Sequence, residues 1–160
     1  GSAGADWILT APSGRWSLEA KRIKSFKKLE KHIRKAAKQI ATSQIGGMIA
    51  VDISLAANPE CSPLSGFVPD SDIIKAHEDR TNAFGKKWQE PIAKWIGSAS
   101  VGFVLLHESV IIPAQGSEAG HEPWGLTGLW SKVDVIASDS SNRQHYDDLW
   151  HLFHVALPNL

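Results

Sequence analysis

Apolar positions along this chain change spacing from every second residue to every third or fourth, and the changes predict its elements. Residues 7–11 and 15–21 are short strand-like runs separated by the turn cluster Pro12-Ser13-Gly14. In the second run Trp16, Leu18 and Ala20 alternate with Arg15, Ser17, Glu19 and Lys21, so a strand places Glu19 and Lys21 on one face. From Ser25 the step lengthens: Phe26, Leu29, Ile33, Ala36/Ala37 and Ile40 mark an amphipathic helix, with Ser25 as N-cap and Gly46-Gly47 as its stop. Residues 48–54, mostly apolar, predict a buried central strand. A long loop of the kind that borders a site follows over 55–69. Residues 71–89 read as helix, with Pro91 kinking it or starting a second turn. Residues 101–112 and 126–137 read as strands joined by a Gly-rich loop, and Asn142 is placed to cap a last helix with Tyr146, Leu149, Trp150 and Phe153 on its apolar stripe. The order β-β-α-β-α-β-β-α predicts an α/β fold with a mixed sheet.

Length and composition fit that picture. At 160 residues, 42% apolar and 21% charged, the chain reads as one domain over 5–160, with residues 1–4 set aside as a cloning remnant. One cysteine, Cys61, excludes a disulfide scaffold and fits a reducing compartment, so a cytoplasmic location is expected. No apolar run reaches the roughly 18–20 residues of a membrane span. Neither a G-x-S-x-G nucleophile elbow nor a phosphate-binding G-x-x-x-x-G-K loop is present.

Charge changes the picture more. Seventeen bases balance seventeen acids, yet residues 15–38 hold ten bases and only two acids. On the predicted helix the bases lie opposite the apolar stripe, which predicts a surface attractive to a polyanion despite overall neutrality. Phosphate contacts from Lys24, Lys28, Lys31, Lys35 and Lys38 would be independent of base sequence and sensitive to salt. Trp7 and Trp16 share a hairpin face and are expected under the helix. Trp88 and Trp95 share a helical face and suit the core or a homodimer contact.

One constellation carries chemistry. If the hairpin pairs Thr10 with Arg15, Asp6 falls directly opposite Glu19, with Cβ atoms about 4.5–5.5 Å apart. Two carboxylates that close repel unless a proton or cation lies between them, and a hard divalent ion suits them. Lys21, on the same face, could orient a water or stabilise charge on a phosphoryl oxygen. His107-Glu108 could border such a site.

At these residues the chain resembles the PD-(D/E)xK nuclease superfamily: Asp6, a twelve-residue gap, Glu19-Ala20-Lys21 at a strand end, then a helix and an apolar strand. The resemblance covers residues 5–54 and has Ala5 where a proline often precedes the Asp. It implies a restriction-endonuclease-like three-layer α/β/α sandwich and Mg²⁺-dependent hydrolysis of DNA, less readily RNA, with Mn²⁺ able to substitute. Carried over, it puts Asp6, Glu19 and the Ala20 carbonyl on the metal and Lys21 on the attacking water. Gln39 is expected near the site, while the family's tyrosine four residues on is Ser43 here. The family core has a helix and strand before its Asp, and five residues precede Asp6. This leaves a second expectation, an inactive nuclease-fold module binding nucleic acid or a protein, in contact with other domains of a longer protein.

Overall fold

In the computed structural model, which describes residues 6–12, 14–60, 70–113, 124–135 and 143–156, five strands form one mixed sheet in chain order. They are β1 (Trp7–Ala11), β2 (Gly14–Arg22), β3 (Gly47–Asp52), β4 (Val101–Pro113) and β5 (Trp124–Asp134). The hairpins β1–β2 and β4–β5 are antiparallel, and β2–β3–β4 run parallel. Parallel neighbours need crossovers. These are α1 (Leu29–Ser43), between β2 and β3, and a single turn α2 (Ser54–Ala57) followed by α3 (Asp70–Ile96), between β3 and β4; α4 (Arg143–Ala156) closes the chain. Part of the expected long loop (61–69), most of the Gly-rich connection and Asn142 lie outside the described residues.

Strand alternation divides the core in two. Ile49, Val51, Val104, Leu106 and Val133 meet Leu29, Ile33 and Ile40 of α1 and Ile92 and Ile96 of α3. Trp16, Met48, Phe103 and Leu105 point the other way and meet Tyr146 and Leu149 of α4. Trp16 is fully buried, but against α4 and not α1, and it stacks on His145 at 4.8 Å. Trp7 shares its face yet is 55% exposed, because it lies at the start of the edge strand; the expectation that both tryptophans pack under the first helix is corrected here.

Two local signals read differently in three dimensions. Ser25 does cap, its Oγ accepting the Lys27 N–H, but the cap opens a 3₁₀ turn (Phe26–Lys28) that leads into α1. Of the two expectations for Pro91, a new turn is not what forms: α3 runs through it to Ile96, with the proline inside the helix. An interior proline costs a helix about 3 kcal/mol. Here the buried Ile92 and Ile96 and the tilted ring contacts Phe84–Trp88 and Trp88–Trp95 on α3 offset that cost. Among the described residues no helix is long and apolar enough to cross a membrane.

Tyr146 pins α4 to the sheet. Its hydroxyl donates to the Ser100 carbonyl at 2.9 Å, and its ring lies where Gly102 has no side chain; a Cβ there would sit 2.1 Å from the ring. Tyr146→Phe keeps the packing and removes one of the two hydrogen bonds that the Ser100 carbonyl accepts, the Gly47 N–H still donating at 2.9 Å, so it should lower the urea midpoint by an amount equivalent to about 0.5–1 kcal/mol.

Candidate active site

The β1–β2 register places the candidate carboxylate pair. Trp7 faces Leu18 and Thr10 faces Arg15, so continuing the ladder by one residue sets Asp6 against Glu19. The Asp6 N–H donates to Glu19 Oε1 at 3.0 Å, and the Ala20 N–H donates to Asp6 Oδ2 at 3.1 Å. Glu19 pairs with Ile49 across β3 and so points to the α1/α3 face, where it is fully buried. Two residues on, Lys21 turns to the same face. Its ammonium lies 3.1 Å from Asp6 Oδ2 and 2.5 Å from Glu19 Oε2.

This arrangement sets the ionisation of its members. Burial raises the Asp6 carboxyl, but the bonds from Lys21 and the Ala20 N–H outweigh it and hold the group below its ordinary value. Burial lowers Lys21, and the bonds to Glu19 and Asp6 reverse this and hold it protonated. Lys21 therefore occupies the cation position between two carboxylates.

The donors fit a hard divalent ion in part. Asp6 and Glu19 present oxygens to one point, and such an ion takes one or two carboxylates while keeping several waters. Among the described residues no group of three or more His, Cys, Asp or Glu could hold a metal, which leaves carbonyl or water oxygens to complete a shell. Ala20 reaches Asp6 through its backbone.

The basic helix flanks this point. Lys24, Lys28, Lys31, Lys35 and Lys38 are all exposed, and none pairs with an acid among the described residues; Arg34 pairs with Glu30 at 2.8 Å. His32, which pattern reading passes over, is half-buried. Its imidazole is pushed below its ordinary value by burial first and then by Lys21, Lys31, Lys28 and Lys35. The only signal in the chain was its place beside Ile33, at the border of the apolar stripe.

Gln39 is half-buried and its Oε1 has no hydrogen-bond partner, but no bond joins it to Asp6, Glu19 or Lys21. At the position where the family carries tyrosine, the Ser17 hydroxyl donates to Ser43 Oγ at 2.6 Å, which ties the end of α1 to β2. His107 and Glu108 separate by strand alternation. Glu108 shares the face of Glu19, whereas His107 joins the opposite row Arg22–Asp52–His107–Trp130. In that row Asp52 accepts from Arg22 at 2.8 Å and from the Ser54 hydroxyl at 2.6 Å, and His107 lies 4.3 Å from the Trp130 ring.

These ionisations give stability a pH dependence. Burial, only partly offset by Asp52, also lowers His107, so it and His32 resist protonation when folded. The unfolded chain then binds more protons as pH falls through 6.5, and stability drops there. A second loss follows below 3.8, where Asp6 and Asp52 take up protons more readily unfolded than folded. Buried Glu108, with its carboxyl raised, works in the opposite sense. Thermal midpoints should decline from pH 6.5 to 5, and His32→Gln should flatten part of that decline. An unchanged midpoint across this range would contradict the reading.

No protein-family model matches the chain, and no curated protein or solved structure matches it.

Proposed function

We propose that this chain is a divalent-metal-dependent nuclease with a restriction-endonuclease-like three-layer core, hydrolysing phosphodiester bonds in DNA in preference to RNA. The observation that carries the reading is the convergence of Asp6, Glu19 and Lys21 on one point beside an unpaired basic helix face. Asp6, Glu19 and the Ala20 carbonyl would hold Mg²⁺, or Mn²⁺ in its place. What the ion supplies is Lewis acidity toward a phosphodiester oxygen and a water.

The chain's own groups do the rest. Lys21, released from the carboxylates, aims an ammonium at the attacking water or at charge developing on a phosphoryl oxygen. Lys24, Lys28, Lys31, Lys35 and Lys38 hold the backbone. His32, kept neutral, adds no further repulsion to a crowded cationic surface. Trp7, exposed at the sheet edge, and the acidic body suit a homodimer or a contact with other domains.

A second reading has its own observation. The Lys21 ammonium already neutralises both carboxylates, as in an inactive nuclease-fold module that only binds nucleic acid.

Incubation with plasmid and with single-stranded DNA, in Mg²⁺ or Mn²⁺ and in EDTA, separates the two. Metal-dependent cutting that falls by about 10²–10⁴-fold in Lys21→Ala and in Glu19→Ala supports the nuclease. Salt-sensitive binding without cutting supports the module. In either case Lys31→Glu/Lys35→Glu should make the salt dependence of log K shallower by about 2, at roughly 0.9 for each phosphate no longer neutralised. An unchanged slope would remove α1 from the interface.

A further inference from the structure

A cavity of about 170 Å³ opens on the Glu19/Lys21 face of the sheet, between the 3₁₀ turn, α2, α3 and β4. Phe26, Phe84 and Ile53 form its apolar wall, with Arg80, Thr81 and Glu108 as the polar groups. It lies beyond the carboxyl ends of β2 and β3, where open α/β sheets bind ligands. Lys21 is in register with Val51 and Leu106, so Glu108 stands two strands across from it, about 10 Å, and one pleat further along.

The cavity is smaller than the roughly 300 Å³ at which sites for drug-sized molecules begin, so it admits a ring system and little more. The Phe26 and Phe84 rings, tilted at 36° to each other with centroids 4.7 Å apart, give the cavity an aromatic wall against which a ring system can pack. The Glu108 side chain is 3% exposed. It pairs with Arg80, whose side chain is half exposed, and accepts from the Thr81 hydroxyl. A carboxylate has about four acceptor positions, and among the described residues these partners use two. A ligand completing the set would bring two adjacent donors for Glu108, and beside them an acceptor for Arg80.

We propose that this cavity is a nucleobase pocket selective for guanine, with the base edge held by Glu108 and Arg80 and its ring packed against the aromatic wall of Phe26 and Phe84. Among the bases only guanine carries two neighbouring N–H donors next to a carbonyl oxygen on one edge. Adenine and cytosine bring a single exocyclic donor, and thymine a single ring N–H. A base read on that edge must be unpaired, so the ligand is single-stranded or flipped out of a duplex. Burial, partly offset by Arg80 and Thr81, raises the Glu108 carboxyl, in keeping with a group short of partners. The inference goes beyond hydrolysis and holds whether or not the strand is cut.

Calorimetric titration of the full chain in EDTA, where no metal-dependent cutting occurs, tests it with the four deoxynucleosides and deoxyinosine. Having no phosphate, these probes owe nothing to the lysines of α1. Deoxyguanosine should bind at least tenfold more tightly than the other three, and deoxyinosine, lacking the exocyclic amine, about tenfold more weakly than deoxyguanosine. Glu108→Gln should abolish the preference. Ala57→Phe, which fills the cavity from its half-exposed rim and leaves the polar groups in place, should abolish binding with the thermal midpoint retained. Equal binding of all four, no binding of deoxyguanosine, or deoxyguanosine binding unchanged in both variants would overturn the proposal. A chain that binds deoxyguanosine in EDTA and cuts nothing in Mg²⁺ would overturn the nuclease reading alone.

Discussion

Lys21→Ala should lose stability and cleavage together, with a thermal midpoint lower by about 6–20 °C. Glu19 is fully buried, and the Lys21 ammonium 2.5 Å from it is its one cation among the described residues. Removing one partner of a buried ion pair costs about 3–5 kcal/mol, because the remaining charge stays desolvated. For a domain of this size each kcal/mol shifts the midpoint by about 2–4 °C. The site opens on its Asp6 side, where the side chain is 36% exposed, so the lower half of that range is expected.

A compensating change separates the two losses. Glu19→Gln added to Lys21→Ala removes the stranded charge and should recover most of the midpoint and none of the cutting. A double-mutant cycle then gives the coupling directly. A midpoint in Lys21→Ala equal to that of the parent would show that water, and not the lysine, satisfies Glu19.

Gly47→Ala should be as damaging, although position 47 touches no candidate ligand. A Cβ at Gly47 would lie 2.0 Å from the Ser17 carbonyl oxygen. The obstacle is backbone on a paired strand, so no side chain can swing aside. Ser17 and Gly47 are register partners, and the Ser17 N–H also donates to the Gly46 carbonyl at 2.8 Å. Relief therefore requires β3 to separate from β2 where the parallel ladder begins. Overpacking of this kind exceeds the usual 1–3 kcal/mol, and a midpoint lower by about 6–12 °C is expected. If calorimetry finds the variant as stable as the parent, the close approach of the two strands is wrong.

How much of this was legible in the chain depends on how local each contact is. The strand-turn-strand pattern showed a hairpin, and the assumed pairing of Thr10 with Arg15, which sets Asp6 against Glu19, is the one that forms. The apolar stripe of α1 was legible as one helical period. Burial of Trp16 was not, since it depends on α4, which arrives more than a hundred residues later. Pro91 left two alternatives open, and the continuous α3 was not legible because the sheet beneath it does not show in a local pattern. Glu108 acquired meaning only when Arg80, 28 residues away, came beside it. That the Lys21 ammonium sits between the carboxylates was also out of reach, for alternation gives a face and not a distance.

The turn at Pro12-Ser13-Gly14 lies at the far end of β1 from Asp6, yet it determines whether the two acids meet. Side chains on a strand change face with every residue. One residue inserted into that turn and absorbed as a register shift would carry Asp6 to the α4 side while Glu19 and Lys21 stayed behind. Every residue named in the site would still be present, on opposite sides of a sheet. Equal-length changes that keep Gly14, whose φ of 149° and closeness to His145 leave no room for a side chain, should be harmless; the length of this turn is as much a part of the site as its carboxylates.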